Sequence, residues 1–220
     1  ASTSTTGKYT NQSFSVFVSD SMSGVQALYY KMPGQTSYQS TSATSKLIPA
    51  GSVNGLYSFY AIDKAGNRSS TYYVIYDNTA PSGSIKSSGG TTLASLYTNS
   101  AFYYMATDAS SGISYLQYKT PSSSSWLTYT SGTNIPATST NGKYTFRAVD
   151  KAGNISEEKS IYLDTTKPVG TLYGGTGTIA SGGSTNASYV KFLASDTLSG
   201  VKTIFVKTPG ASTYSTYMSG

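Results

Sequence analysis

Apolar and polar residues alternate at every second position in short runs along this chain, and the runs end at clusters of Gly, Pro, Asp, Asn or Ser. The plainest run holds Tyr144, Phe146 and Ala148; an earlier one holds Tyr57, Phe59 and Ala61. A period of two puts these side chains on one face of a strand, turned toward a core. Both runs stop at Asp-Lys-Ala-Gly-Asn, beginning at Asp63 and at Asp150. That is turn composition, because Gly accepts a positive φ and Asp and Asn bond nearby amides. Apolar residues resume at Val74, Ile75 and Tyr76 and at Ile161, Tyr162 and Leu163, so each unit predicts a β-hairpin. Upstream, Phe14, Val16 and Val18 alternate, as do Phe102, Tyr104 and Ala106, then Val190, Phe192 and Ala194. Further strands open at Val25, Ile113 and Val201 and close before Pro33, Pro121 and Pro209, since Pro removes a ladder donor. A short aromatic strand follows around Tyr38, Trp126 or Tyr214, and Leu47-Ile48-Pro49 and Asn134-Ile135-Pro136 mark edge strands. No window carries apolar residues at helical spacing, so the expectation is an all-β chain.

These runs repeat. Asp63 and Asp150 are 87 residues apart, as are the first residues of Asp77-Asn78-Thr79-Ala80-Pro81 and Asp164-Thr165-Thr166-Lys167-Pro168. Asp-x-x-Ser-Gly-(Val/Ile) occurs three times, from Asp20, Asp108 and Asp196, at steps of 88. A fixed period of this size means an array of similar domains. The divisions fall at residues 1–81, 82–168 and 169–220. The first unit lacks a counterpart to Ser82-Gly83-Ser84-Ile85-Lys86, and the third stops before any final hairpin. The expectation is a stretch of a longer repetitive protein; the alternative is that a neighbouring chain supplies the missing strands.

Composition narrows the chemistry. The chain has no Cys and no His, which removes disulfides, thiolate chemistry, most zinc sites and the commonest general base. No paired carboxylates lie outside turns, so no enzyme is predicted. The net charge of +6 comes from 15 basic residues that form no run, and nucleic-acid binding needs a clustered patch. No apolar span is long enough for a membrane helix. Twenty-two Gly, 21 Tyr and long Ser/Thr tracts are the composition of an extracellular β protein.

About seven short strands per unit, in slightly under ~100 residues, fit an immunoglobulin-like sandwich of two antiparallel sheets. The combination of Asp-x-x-Ser-Gly-Val, the pair Trp126 and Tyr129, Tyr-x-Phe-x-Ala-x-Asp-x-Ala-Gly-Asn-x-Ser and Asp-x-Thr-x-Pro resembles the bacterial Ig-like repeats of large secreted and surface-anchored proteins. The resemblance spans the whole chain, with every element present in the second repeat. It implies tandem Ig-like β-sandwiches at the cell surface or outside the cell, serving as a stalk, spacer or adhesion module. The same repeats serve as accessory regions of polysaccharide-active enzymes. A glycan-binding module and a subunit of an extracellular filament are therefore the alternative functions. The implied partners are neighbouring repeats, a cell-surface glycan or protein, or other copies in a filament.

Every Asp in the chain sits in a repeated motif. In such a sandwich the entering linker, the loop after the second strand and the last hairpin turn share one pole. Asp77 should therefore approach Asp108 and Asp150, and Asp164 should approach Asp196. These five carboxylates could hold Ca²⁺, which takes 6–8 oxygen ligands. Alternatively each carboxylate caps its own turn, and the spacing favours that arrangement because amide donors lie beside each Asp. No other cofactor is called for. Gly24, Gly66, Gly112, Gly153 and Gly200 are assigned to turns, and Pro81 and Pro168 to short, stiff linkers. Tyr29, Tyr60, Tyr72, Tyr73, Tyr103 and Tyr162 are assigned to outward faces, where they either suit half-exposed strands or stack on sugars. Asn-x-Ser sequons, among them those at Asn67, Asn154 and Asn186, are what so Ser-rich a chain contains by chance.

Overall fold

The structure, a computed structural model, describes residues 8–217, all of them strand, turn or loop. The first repeat contains β1 (Lys8–Thr10), β2 (Phe14–Phe17), β3 (Val25–Lys31), β4 (Gln39–Thr41), β5 (Ser45–Ile48), β6 (Gly55–Asp63) and β7 (Tyr72–Tyr76). The second contains β8 (Ser82–Ser87), β9 (Tyr97–Thr98), β10 (Phe102–Thr107), β11 (Ile113–Lys119), β12 (Leu127–Tyr129), β13 (Gly142–Asp150) and β14 (Lys159–Leu163). The third contributes β15 (Val169–Gly174), β16 (Gly177–Ile179), β17 (Val190–Ser195), β18 (Ile204–Val206) and β19 (Ser215–Tyr217).

In the second repeat a five-stranded sheet, in the order β12-β11-β13-β14-β9, packs over the pair β10-β8. The alternating residues meet between them: Phe102, Tyr104, Leu116, Tyr144, Phe146, Ala148, Ile161 and Leu163 are all buried. Phe146 is the hub, with Phe102, Tyr104, Tyr118 and Tyr129 placed around its ring at centroid distances of 5.2–6.2 Å. The first repeat has the equivalent sheet, β1-β7-β6-β3-β4, over β2-β5, around Leu28, Ile48, Tyr57, Phe59 and Tyr76. Its core is thinner. Val16 and Thr41 stand where the second repeat has Tyr104 and Tyr129. In the third repeat β15 pairs β17, and Val190, Phe192 and Leu193 of β17 are exposed.

The strands depart from the sequence reading in three places. The sheets are not wholly antiparallel, because β1 pairs β7 and β9 pairs β14 in parallel. After β8 the chain crosses to the opposite sheet and lies along β14 in the same direction. Two residues are too few for alternation to reveal them. Second, Tyr38, Trp126 and Tyr214 precede β4, β12 and β19 instead of lying within them. Third, Ile135 makes only an isolated bridge to Phe102, since Pro136 cannot carry the ladder further. The repeated turn is also wider than a two-residue hairpin. Asp150 to Asn154 folds back first, through the bridge Val149 to Ile155, and the ladder of β13 with β14 then begins at Phe146 and Lys159.

Candidate functional site: the junctions between repeats

The junction between the first two repeats is built from two loops and a linker. In the first loop Asp108 Oδ1 accepts the amides of Ser110 (3.1 Å), Ser111 (2.9 Å) and Gly112 (2.8 Å). The chain leaves this ring through Gly112 at φ 76°, a conformation that a side chain strains. Asp20 and Asp196 gather three amides in the same way, leaving through Gly24 and Gly200 at φ 76° and 73°. In the second loop Asn154 donates its backbone N–H to Asp150 Oδ1 (2.9 Å) and its side-chain amide to Oδ2 (2.7 Å). Asn67 does the same to Asp63. The turns pass through Gly153 at φ 94° and Gly66 at φ 91°. At Asp20 and Asp63 these bonds favour the charged form. The Gly24 amide foremost holds Asp20 below the ordinary carboxylate value, and the Asn67 side chain does so for Asp63.

The linker closes the junction. Asp77 is fully buried, and its Oδ2 accepts the Ser111 amide of the next repeat at 3.0 Å. Its Oδ1 accepts the Thr79 amide and the side-chain amide of Asn54, each at 3.0 Å. Asn54 also accepts the Asn78 amide and donates to the Thr79 hydroxyl, clamping the linker to the sandwich it leaves. From the other side Asn154 donates to the Asp77 carbonyl at 2.8 Å and accepts from Asn11 at 3.0 Å. The Lys151 ammonium lies 5.4 Å from the Tyr9 ring centroid, a further contact between the repeats. Pro81 is buried.

The second junction repeats the linker and the first of these loops. Asp164 Oδ2 accepts the Ser199 amide (3.0 Å) and Oδ1 accepts the Thr166 amide (3.0 Å). Asn141 takes the part of Asn54, bonding Thr165 and Thr166. Hydrogen bonding from the Ser199 side chain, first among several donors, holds the Asp164 carboxyl below its ordinary range. Pro168 is exposed, so this linker is less enclosed. Asn54, Asn141, Asn11 and the bridging role of Asn154 were not found from sequence. The readable signal was Asn-Gly at Asn54 and Asn141, recurring at the 87-residue period just before the strand.

The structure brings Asp77, Asp108 and Asp150 together, with one oxygen of each within 4.8 Å of the others. Two Ca²⁺ ligands at 2.3–2.6 Å from the ion can stand about that far apart. Three carboxylates nonetheless fall short of 6–8 ligands, and five of their six oxygens already accept protein donors. Asp164 and Asp196 meet over the shared Ser199 amide.

The tyrosine assignments divide. Tyr29 and Tyr60 stack on each other at 4.8 Å, and the Arg68 guanidinium covers the Tyr60 ring at 3.9 Å. Trp126 lies between Lys119 (4.4 Å) and Arg147 (4.0 Å), and Tyr162 packs on Tyr97 at 5.3 Å. Tyr103 is half-buried, while Tyr72 and Tyr73 are exposed. The ring faces of Tyr29, Tyr60, Tyr162 and Trp126 are therefore met by the protein's own groups. Asn154, within one sequon, is committed to the junction.

The bacterial Ig-like domain family matches the chain twice, over residues 6–78 and 82–165. The chain belongs to that family, as tandem Ig-like β-sandwich repeats of a bacterial protein. No curated protein matches it. Similar solved structures include the fibronectin(III)-like modules of Clostridium thermocellum CbhA, at 15% identity over 71% of this chain and 86% of that one, TM-score 0.31. The N-terminal four Ig domains of Dscam1 isoform 9.44 match at 12% identity over 71% of this chain and 42% of that one, TM-score 0.33. The Bacteroides ovatus SGBP-B of a mixed-linkage glucan utilization locus, solved with a mixed-linkage heptasaccharide, matches at 18% over 76% and 46%, TM-score 0.21. At these scores the likenesses say nothing about ligands or partners. Among the described residues no helix is long and apolar enough to cross a membrane.

Proposed function

We propose that this chain is a structural and adhesive repeat region of an extracellular or surface-displayed bacterial protein, working as a stiffened stalk. The observation that carries the reading is the repeated junction. Asp77 and Asp164 each pass a carboxylate from one repeat onto the Ser amide of the next, at 3.0 Å in both cases. A linker of a few residues, clamped at both ends and ending in Pro, has little hinge freedom, so repeats in series keep a set angle and the array keeps its reach.

The test is small-angle scattering on the full chain and on the double variant Asp77→Ala, Asp164→Ala. A stalk predicts a narrow distance distribution for the parent and a broader, more compact one for the variant, while the β-sheet circular dichroism is kept. Identical scattering from both proteins would remove the basis for the proposal.

A further inference from the structure

We propose that Asn54 and Asn141 are sites of spontaneous deamidation whose rate is set by how often the linker leaves its clamp, and that at Asn54 the reaction permanently unseats the linker. The reaction depends on the clamp and not on whether the array serves as a stalk.

Two of the nine asparagines in the chain are followed by Gly, and these are Asn54 and Asn141, 87 residues apart. The backbone nitrogen of a following residue can attack the side-chain carbonyl carbon of Asn and close a five-membered succinimide. Gly hinders that approach least, because it has no Cβ. In each repeat the fold requires this Gly. Gly55 and Gly142 open β6 and β13 at φ 133° and 134°. A Cβ there would stand 2.9 Å from Pro33 Cβ and 2.7 Å from Pro121 Cβ. The packing that starts the strand thus keeps each Asn beside the residue that attacks it most readily.

The same side chains hold the linkers. Asn54 Nδ2 donates to Asp77 Oδ1 (3.0 Å) and to the Thr79 hydroxyl (2.7 Å), and its Oδ1 accepts the Asn78 amide (3.0 Å). Asn141 Nδ2 donates to the Thr166 hydroxyl (2.8 Å), and its Oδ1 accepts the Thr165 amide (3.2 Å) and hydroxyl (3.0 Å). In the reaction a bond forms from the Gly nitrogen to the Asn Cγ, which turns tetrahedral. The Gly amide proton passes through water to Nδ2, the Cγ–Nδ2 bond breaks, and ammonia leaves. Water then opens the imide at one of its two carbonyls, giving an aspartyl or an isoaspartyl residue. Neither a tetrahedral Cγ nor a leaving Nδ2 keeps the bonds that the planar amide makes to the linker. A seated linker therefore opposes the reaction, and local opening of the linker permits it.

Conversion has unequal consequences at the two sites. At Asn54 an oxygen replaces the Nδ2 donor, so two acceptors face each other where Nδ2 had bonded Asp77 Oδ1. Asp77 loses a donor and the linker does not return to its seat. At Asn141 the partner of Nδ2 is a hydroxyl, which turns to donate to the new oxygen. Asp164 takes no bond from Asn141 among the described residues. The second linker therefore survives conversion to the aspartyl product, whereas the first does not.

The experiment incubates the full chain at neutral pH and follows the exchange of ammonia for water at each Asn by peptide mapping and mass spectrometry. Asn54 and Asn141 should convert ahead of the other asparagines, and several-fold more slowly in the folded chain than in urea. Asp77→Ala, and Thr79→Val at an exposed position, should each speed conversion at Asn54 several-fold while Asn141 in the same molecule keeps its rate. Hydrogen exchange reads the consequence. Asn54→Asp should raise exchange at the Asn78 and Thr79 amides, whereas Asn141→Asp should leave the Thr165 and Thr166 amides as they are. Four results would each overturn the proposal: no conversion at Asn54 in the folded chain, a rate there equal to that in urea, a rate unmoved by both variants, or linker exchange unchanged by Asn54→Asp. None of these readouts depends on scattering, so they fail or succeed separately from the stalk.

Discussion

Phe146 concentrates the second core in one side chain. It is fully buried, and four aromatic rings contact it from both sheets. Phe146→Ala should lower the stability of that repeat by roughly 3–5 kcal/mol, the range for emptying a filled aromatic site. Tyr162→Ala, on the outer face and half-buried against Tyr97, should cost far less; a thermal melt of both variants makes the comparison. Gly153 offers a second contrast at this scale. Its φ of 94° strains any residue with a Cβ, although the space beside it is open to the Asn11 side chain at 3.9 Å. Gly153→Val should therefore cost roughly 1–2 kcal/mol through the backbone alone. Lys151→Ala, removing one exposed cation over Tyr9, should cost about 0.5–1 kcal/mol at most. Chemical denaturation of the two variants should separate them in that order. Both residues were legible from the sequence because alternation marks a core face and Asp-Lys-Ala-Gly-Asn marks a turn.

The elements show where that legibility ended. A strand of six or seven residues, such as β10 or β11, carries enough alternation to be placed and faced. β9 has two residues and takes its position from the crossover after β8, so no local pattern encodes it. The junction asparagines were hidden for a related reason. Asn54 and Asn141 each precede a strand in turn-like company, and their partners lie 23–25 residues away in the linker. The Asp turns have their own test, in pH. Asp20, Asp63 and Asp164 are held below the ordinary carboxylate value of about 3.9 by donors present only in the fold. A depressed folded-state value means that the stabilisation is complete above the unfolded value and is lost as pH falls through the folded one. With no His in the chain, melting temperature should be flat from about pH 5 to pH 8 and fall below about pH 4. At the alkaline end, burial raises Tyr57, Tyr104, Tyr129 and Tyr144. Raised values in the fold mean a second loss as pH climbs past about 10. A melt that instead changes between pH 5 and pH 8 would contradict this assignment of the titrating groups.

At the scale of the whole molecule the question is what holds one repeat against the next. Asp77 and Asp150 are buried, Asp108 is partly so, and the three meet with no Lys or Arg within ion-pair distance among the described residues. Three like charges this close repel unless something offsets them. Two physical solutions exist. A Ca²⁺ bridging the carboxylates would tie the stiffness of the array to calcium. Alternatively backbone and Asn amides supply the positive ends of their dipoles, and each carboxylate sits within its own ring of donors. The donor geometry favours the second. Asp108 takes three amides on one oxygen, Asp150 takes both donors of Asn154, and Asp77 takes Asn54, Thr79 and Ser111. Asp20 and Asp63 keep the same rings with no preceding linker among the described residues, so the rings do not need the third carboxylate in order to form. A chelator added to the full chain should leave its melting temperature and scattering-derived maximum dimension unchanged, and added Ca²⁺ should do the same. Asp108→Asn should be destabilising with or without calcium, because a neutral amide oxygen accepts the three backbone amides more weakly than a carboxylate oxygen does. A chelator-induced fall in melting temperature that Asp108→Asn abolishes would show instead that a cation closes the joint.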